Sequence, residues 1–303
     1  MGVTGYLLHY LLYGIIDLRG QKTDTKGNKP MQNTKTLGPA SGELLLRLSA
    51  EGRTIFSIAD AQSITNKSYG ATAKLLSRLA QKRWLVRLMG GKYLIVPLEA
   101  GLEGIPMADR YVIAREVLGS RPYYISHYSA MELHQMTTQP VNTVYVIVRR
   151  QWDSRTIAGV QYRFVYANER SFWGWETIWA TAEEQVRVSD LEKTVLDCAV
   201  RPQLCGGLGE LAKGFWLRKD DLNDSRLVEY VQRLDHKAAA RRIGFLLETY
   251  GLGEPETIAA LQSLINLGYD LLDPTLPDEG PYHSGWRLRI NLDPEELKAI
   301  VWT

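Results

Sequence analysis

The stretch LVRLMGGKYLIV, residues 85–96, decides how the first part of this 303-residue chain is interpreted. Two strand-like runs, LVRLM and KYLIV, are separated only by Gly90 and Gly91. A two-residue hairpin turn needs positive φ angles, which glycine adopts at little steric cost. The stretch therefore predicts a tight β-hairpin that carries the basic residues Arg87 and Lys92.

Three short helices are predicted directly upstream of this hairpin: Gly42–Glu51, Ser57–Gln62, and Asn66 to about Lys82. Ser57 and Thr65 are residue types that cap helix N-termini, so we expect them to begin the second and third helices. Three helices followed by a hairpin is the order of a winged helix-turn-helix. In that arrangement the third helix enters the major groove of DNA.

The third helix is predicted to have two different faces. Tyr69, Ala73, Leu76 and Leu79 recur at helical spacing and would form its buried stripe. The other face carries small, polar and basic residues: Lys67, Ser68, Ala71, Lys74 and Arg78. Such residues allow close approach to a groove and contact base edges or phosphates, although a solvated helix face has a similar composition.

Charge is distributed unevenly along the chain, although the net charge is only +2. Residues 31–100 contain 10 Lys or Arg and 4 acidic residues, whereas residues 101–303 contain 22 basic and 28 acidic residues. A basic excess favours a polyanion partner, because each neutralised phosphate releases counterions. The hairpin and the charge together favour DNA, with Arg87 and Lys92 on the wing; some winged helices instead mediate protein contacts.

The acidic remainder is predicted to be a larger mixed α/β domain, which makes the whole chain α+β. Expected strands are Val144–Val148, Gln161–Val165, Val186–Val188 and Trp286–Ile290. Expected helices are Met107–Leu118, one beginning at Ser126 or Ser129, Ser189–Ala199, Leu227–Tyr250 with a break near Asp235, Thr257–Leu267, and a last one capped by Asp293.

Three segments are expected from these patterns: an extension and flexible linker (1–36), the winged helix (37–100) and the α/β domain (101–303). The apolar run Tyr6–Leu18 is too short to span a bilayer. Residues 1–30 read as an upstream extension before Met31. No membrane partner is expected, and two cysteines in 303 residues favour a reducing compartment such as the cytoplasm.

No cofactor or metal site is predicted. The five histidines form no H-E-x-x-H motif, and P-loop, G-x-G-x-x-G and G-x-S-x-G motifs are absent from the sequence. The glycine cluster at 206–209 follows a predicted helix and is interpreted as its stop. Asp190, Glu192 and Asp197 are the best candidates for metal-dependent chemistry. Asp190 at the helix start, where a negative charge complements the helix dipole, and an ion pair between Lys193 and Asp197 explain these residues without a metal.

Four aromatic residues lie close together in the sequence: Phe172, Trp173, Trp175 and Trp179. We expect them to form core or an interdomain face. A small-molecule pocket near Trp173 and Trp175 remains an alternative, in which the chain is a ligand-sensing regulator.

Four segments, in this order and spacing, resemble the AbiEi antitoxin family of type IV toxin–antitoxin and abortive-infection systems. They are LVRLMGGKYLIVP, YYISHYSAMELHQMTTQP, VRVSDLEKTVLDCAVRPQLCGGL and ARRIGFLLETYG, within about residues 40–251. Residues 1–30 and the Pro-rich end after Leu252 have no clear counterpart in the family.

The resemblance implies a non-enzymatic protein with an N-terminal winged helix and a larger α/β domain. It implies repression of the protein's own operon through inverted repeats in promoter DNA, with a homodimer on DNA. It also implies that the chain counteracts a nucleotidyltransferase-like toxin, usually without a stable complex. The helix-three residues and the two wing residues named above are the implied DNA contacts. A DNA-targeted metal-dependent enzyme and a ligand-sensing regulator without a toxin remain the alternatives.

Overall fold

The computed structural model describes residues 36–97 and 108–300, which belong to one compact unit spanning Lys35–Thr303. The fold is mixed α+β, as predicted. The predicted extension, including the apolar run Tyr6–Leu18, lies outside the described residues. Among the helices of the described ranges, none is both long and apolar enough to cross a membrane.

The first part contains three helices and a small antiparallel sheet with strand order β1-β3-β2. Its elements are α1 (Pro39–Ala50), β1 (Ile55–Ser57), α2 (Ile58–Thr65), α3 (Tyr69–Gln81), β2 (Leu85–Arg87) and β3 (Lys92–Ile95). This is the architecture of a winged helix-turn-helix. The short strand β1, which the sequence did not reveal, completes the sheet by pairing with β3.

The predicted hairpin is confirmed. Gly90 and Gly91 have φ angles of 67° and 73°, and the Leu88 amide donates to the Lys92 carbonyl at 2.9 Å. Two consecutive positive φ angles are what a primed turn requires. The Ile58 amide, at the start of α2, donates to the Gly91 carbonyl at 3.2 Å, so the turn is fastened to the helical part.

The third helix begins later than predicted, at Tyr69 rather than Asn66, and Thr65 is the last residue of α2 instead of a cap. Asn66 adopts a left-handed conformation with φ of 51° and ends α2, a role that Asn tolerates well. The N-cap of α3 is Ser68, whose Oγ accepts a hydrogen bond from the Ala71 amide at 3.4 Å.

Ser57 caps α2 as predicted, and Asp60 completes a capping box with it. The Asp60 carboxylate accepts the Ser57 amide at 2.7 Å and also pairs with Arg53 at 2.8 Å. Burial alone raises the pKa of Asp60, but hydrogen bonds from Arg53 and Ser57 outweigh it and lower the pKa to about 2. The charged carboxylate therefore stabilises the start of α2, where this helix follows β1.

Asp60→Asn is expected to lower the free energy of unfolding by about 1 kcal/mol at neutral pH, as for other lost helix caps. Because the folded pKa is depressed, the contribution is complete above about pH 4 and is lost as the pH falls towards about 2. Urea unfolding across this range should show the deficit shrinking with acidification. Asp153→Asn, at an exposed position, is the control; an unchanged gap between variant and wild type at low pH would contradict the assignment.

The second part begins with a six-stranded mixed sheet of order β6-β7-β5-β4-β9-β8. Its elements are α4 (Arg110–Leu118), β4 (Tyr123–Ile125), α5 (His127–Leu133), β5 (Thr143–Val148), β6 (Arg155–Ile157), β7 (Val160–Tyr166), β8 (Trp175–Trp179) and β9 (Gln185–Ser189). Strand β5 pairs parallel with β7, and β4 pairs parallel with β9. The pair at the centre, β4 with β5, is antiparallel, as are the edge pairs of β6 with β7 and β8 with β9.

Helices and a small sheet follow. They are α6 (Leu191–Val200), α7 (Leu208–Leu217), α8 (Asp224–Leu234), α9 (Lys237–Thr249), α10 (Pro255–Ser263), β10 (Asp270–Leu271), β11 (Tyr282–His283), β12 (Leu288–Arg289) and α11 (Pro294–Ile300). The predicted break near Asp235 is confirmed, since this residue is left-handed with φ of 54° and ends α8. The cap of α6 is Asp190 rather than the predicted Ser189, because the Asp190 carboxylate accepts the Lys193 amide at 2.8 Å.

The two parts share buried apolar residues. The winged helix has its own core around Leu44, Leu48 and Leu76. Leu88 and Leu94 of the hairpin, however, belong to the buried cluster of α4 and the six-stranded sheet. The hairpin is therefore packed on the second part as well as on the helices of the first.

Candidate nucleic-acid interface

The structure exposes all five predicted residues of the third helix: Lys67, Ser68, Ala71, Lys74 and Arg78. The last three follow one another at spacings of three and four residues, so they lie along one side of α3. Thr72, Leu76 and Leu79 are buried on the other side. The hydrophobic core thus turns the basic face of α3 outward.

Four cations of this surface form no ion pair with any residue of ranges 36–97 and 108–300: Lys67, Lys74, Arg78 and Arg87. All four are exposed. Cations without an internal partner are free to neutralise phosphates, and this neutralisation dominates affinity for nucleic acid. We refer to these four side chains as the basic surface.

Lys92 is placed differently from the other predicted contacts. Its ammonium lies 2.6 Å from the Glu116 carboxylate of α4, and both side chains are mostly buried. Burial raises the pKa of Glu116, but hydrogen bonds from Lys92 and Arg115 outweigh it and hold the pKa below its usual value. Lys92 therefore fastens the wing to the second part and has a partner that a phosphate would have to displace.

Tyr69 was predicted to be core, but it is 63% exposed at the first position of α3. Thr72, fully buried, takes its place in the stripe at four- and three-residue spacing with Leu76 and Leu79. A phenol next to Lys67 and Ser68 adds a hydrogen-bonding group of the kind that contacts phosphates. If Ser68 had been identified as the N-cap from the sequence, Tyr69 would have been placed in the first turn of the helix. Side chains at that position pack against less of the core.

The three acidic residues considered for metal chemistry are each engaged by other residues of the protein. Asp190 accepts the Lys193 amide and, at 2.8 Å, the Tyr230 hydroxyl. Glu192 accepts the Asn223 amide at 2.8 Å, and Asp197 pairs with Lys193. Across the described residues, no group of three or more His, Cys, Asp or Glu side chains could hold a metal ion.

The glycine cluster at 206–209 begins a helix instead of ending one. Gly207, with φ of 95°, is the N-cap of α7, and the Leu208 amide donates to the Asp273 carboxylate at 2.7 Å. The prediction of a helix stop was wrong, because Arg201 had already ended α6 and a 3₁₀ turn at Pro202–Leu204 separates the two helices. An internal carboxylate thus occupies the position that an anion would take at this helix start.

The aromatic cluster divides into two parts. Trp173 is buried between Lys193, 5.0 Å from its ring centre, and Arg233, 4.4 Å from it. Trp175 and Trp179 are 40% and 63% exposed on the edge strand β8. The expectation of core holds for Trp173, whereas the other two tryptophans lie at the surface of the second part.

Comparison with known proteins yields matches among solved structures. No protein-family model and no curated protein matches the chain. The crystal structure of the RV2827C protein from Mycobacterium tuberculosis matches with a TM-score of 0.67 and 16% sequence identity, over 88% of this chain and 96% of that one. This likeness shows that the two proteins share a fold.

Proposed function

We propose that this chain is a DNA-binding repressor whose basic surface contacts double-stranded promoter DNA. The observation that carries the proposal is the basic surface itself: four exposed cations, on the third helix and wing of a winged helix, have no ion-pair partner in the described ranges. A third helix presented in this way suits insertion into a major groove. Ser68 and Tyr69 at its start add uncharged hydrogen-bonding groups.

The resemblance to the AbiEi antitoxins supports the biological role that we propose for this binding. In that role the chain represses its own operon at inverted repeats, as a homodimer on DNA, and counteracts a nucleotidyltransferase-like toxin encoded nearby without a stable complex. Both activities would take place in the cytoplasm. The proposal includes no enzymatic activity, cofactor or metal.

A salt-titrated gel shift of the full chain on its own upstream DNA tests the DNA-binding half. We expect binding that resists unrelated competitor DNA and occurs in two steps, one for each half-site. Binding that unrelated DNA removes equally well, or no binding, would show that the winged helix is a protein-contact module.

Lys67→Ala combined with Lys74→Ala is expected to weaken promoter binding by about 10–100-fold near physiological salt. Each lost phosphate contact should also reduce the slope of log affinity against log salt by about 0.9. Lys219→Ala combined with Lys298→Ala removes the same net charge far along the chain and is the matched control. An unchanged salt slope in the first variant would remove α3 from the interface.

Co-expression tests the antitoxin half. If a nucleotidyltransferase-like gene is adjacent, its expression should arrest growth, and this chain should restore growth without co-purifying with the toxin. Restoration should survive Lys67→Ala with Lys74→Ala when both genes are expressed from foreign promoters, because neutralisation would then not need operator binding. Continued arrest in the presence of the wild-type chain would exclude the antitoxin role while leaving repression intact.

A further inference from the structure

A cavity of about 220 Å³ lies in the second part, between the end of β7 and α6. Polar side chains contribute to its lining, among them His127, Asn168, Ser171, Asp197 and Arg201. Apolar side chains, including Ile147 and Val165, form other walls. Apolar walls with a few placed polar groups are the usual composition of a small-molecule site.

Asp197, one of the residues that line this cavity, has an unsatisfied hydrogen-bond acceptor. The residue is only 7% exposed, and its Oδ1 accepts a hydrogen bond from Lys193. Its Oδ2 is buried and has no hydrogen-bond partner. Buried carboxylate oxygens are rarely left unpaired, because desolvation without a hydrogen bond is costly. A ligand that offers an N–H group would satisfy this oxygen.

His127 contributes an uncharged ring to the same cavity. Its Nδ1 lies 2.9 Å from the Ser126 hydroxyl, and the residue is held at a positive φ of 50°. Burial, reinforced by the positive charges of Lys193, Arg201 and Arg163, lowers the pKa of His127 to about 3. The imidazole is therefore neutral at physiological pH. The cation that pairs with Asp197 is Lys193 and not His127.

Asn168 adds a donor at the rim. Its Oδ1 accepts both the amide and the hydroxyl of Ser171, each at 3.1 Å. The amide nitrogen of the same side chain remains as a donor of two hydrogens.

A second cleft, of about 370 Å³, adjoins the first and shares Val165, Tyr166 and Arg201 with it. Arg163 lines this cleft too, and neither arginine forms an ion pair within residues 36–97 and 108–300. Arginine without an internal carboxylate is suited to bind phosphate, since its planar fork matches the geometry of the oxyanion. The two cleft arginines therefore favour an anionic group next to the inner cavity.

We propose that the cavity and its adjoining cleft bind a nucleoside monophosphate. The base occupies the inner cavity and donates its exocyclic amine to Asp197 Oδ2, while the phosphate lies on Arg163 and Arg201. A nucleotide combines three features that match this site. Its flat, largely apolar ring suits the apolar walls, an N–H donor on that ring suits Asp197 Oδ2, and its phosphate suits the two arginines. The site is separate from the basic surface and does not depend on the DNA-binding proposal.

Calorimetric titration of the full chain with AMP, GMP, CMP and UMP tests the site. We expect one site per chain for at least one nucleotide that carries an exocyclic amine. UMP should bind at least about tenfold more weakly than that nucleotide, because uracil has no exocyclic amine. Its N3–H lies between two carbonyl oxygens, which would be repelled by the carboxylate. Inorganic phosphate and the matching nucleoside should each bind more weakly than the nucleotide. Binding by none of the four, preference for UMP, or equal binding of phosphate alone would overturn the proposal.

Two variants test the assigned residues. Arg201→Gln should weaken binding of the preferred nucleotide by about tenfold or more, because a charge-assisted contact with phosphate is lost. Arg150→Gln, which removes an exposed arginine that lines neither cavity, is the matched control and should bind as the wild type does. Asp197→Asn, with its fold checked by circular dichroism, should lose the preference over UMP. Wild-type affinity in Arg201→Gln would also overturn the proposal.

Discussion

Lys193→Met is expected to lower the free energy of unfolding by about 3–5 kcal/mol, the cost of leaving one partner of a buried ion pair alone. Lys193 and Asp197 are 1% and 7% exposed, and they pair across one turn of α6. The ammonium also lies 5.0 Å from the centre of the Trp173 ring and 5.7 Å from that of Tyr124. Methionine fills the space of the lysine stem but supplies no cation, so the charged Asp197 becomes an unpaired buried carboxylate.

A double variant separates the effect of the unpaired charge on the free energy of unfolding from the effect of repacking around residue 193. Lys193→Met combined with Asp197→Leu removes both charges, and it should recover most of the stability lost in the single variant. Burial already raises the pKa of Asp197, and loss of Lys193 should raise it further. The folded state of the single variant then binds the extra proton, so its deficit should shrink as the pH falls towards about 4.

Urea unfolding of the wild type, Lys193→Met, Asp197→Leu and the double variant measures the cycle. Lys219→Met is the matched control, because Lys219 pairs with a largely exposed Asp220 and should contribute no more than about 1 kcal/mol. A double variant as unstable as the sum of the two single variants would show that the buried charges are not coupled.

Gly244→Ala is expected to destabilise the second part by about 3 kcal/mol or more through overpacking. A Cβ on this residue of α9 would collide with the Trp286 ring. That ring is completely buried, and its indole N–H donates to Glu248. Since the tryptophan is enclosed and also hydrogen-bonded, it cannot move aside at small cost.

Gly42→Ala in α1 is the matched control, because a Cβ there meets nothing within 4 Å. It should leave stability unchanged or raise it by about 0.5–1 kcal/mol, the usual gain when alanine replaces glycine in a helix. Thermal melting of both variants measures the contrast. Equal melting temperatures would falsify the steric role of Gly244.

Local signals determined how much of the fold was predictable. The hairpin at Gly90 and Gly91 and the break at Asp235 follow from backbone conformations that few residue types adopt. The edge strand β8 was missed, because its residues are largely exposed and show no alternation of apolar and polar side chains. The start of α7 was missed because glycine is a stronger signal for the end of a helix than for its beginning.

The candidate sites were predictable to different degrees. The basic face of α3 could be read from the sequence, because one helix supplies most of it. The partner of Lys92 could not, since Glu116 lies 24 residues away and meets it only through tertiary packing. The cavity around Asp197 and His127 is likewise assembled from several elements, and no contiguous motif marks it.

The anchoring of the hairpin on the second part has a consequence for the DNA binding that we propose. Leu88 and Leu94 are buried with α4 and the six-stranded sheet, and Lys92 is paired with Glu116. In the homodimer that we propose, a third helix held in a fixed orientation on each copy would contact the two half-sites at one angular phase. With about 10–10.5 base pairs per turn of DNA, an insertion of five base pairs would place the second half-site on the opposite side of the duplex, and a full turn would return it. The operator would then be defined by its helical phasing as well as by its sequence.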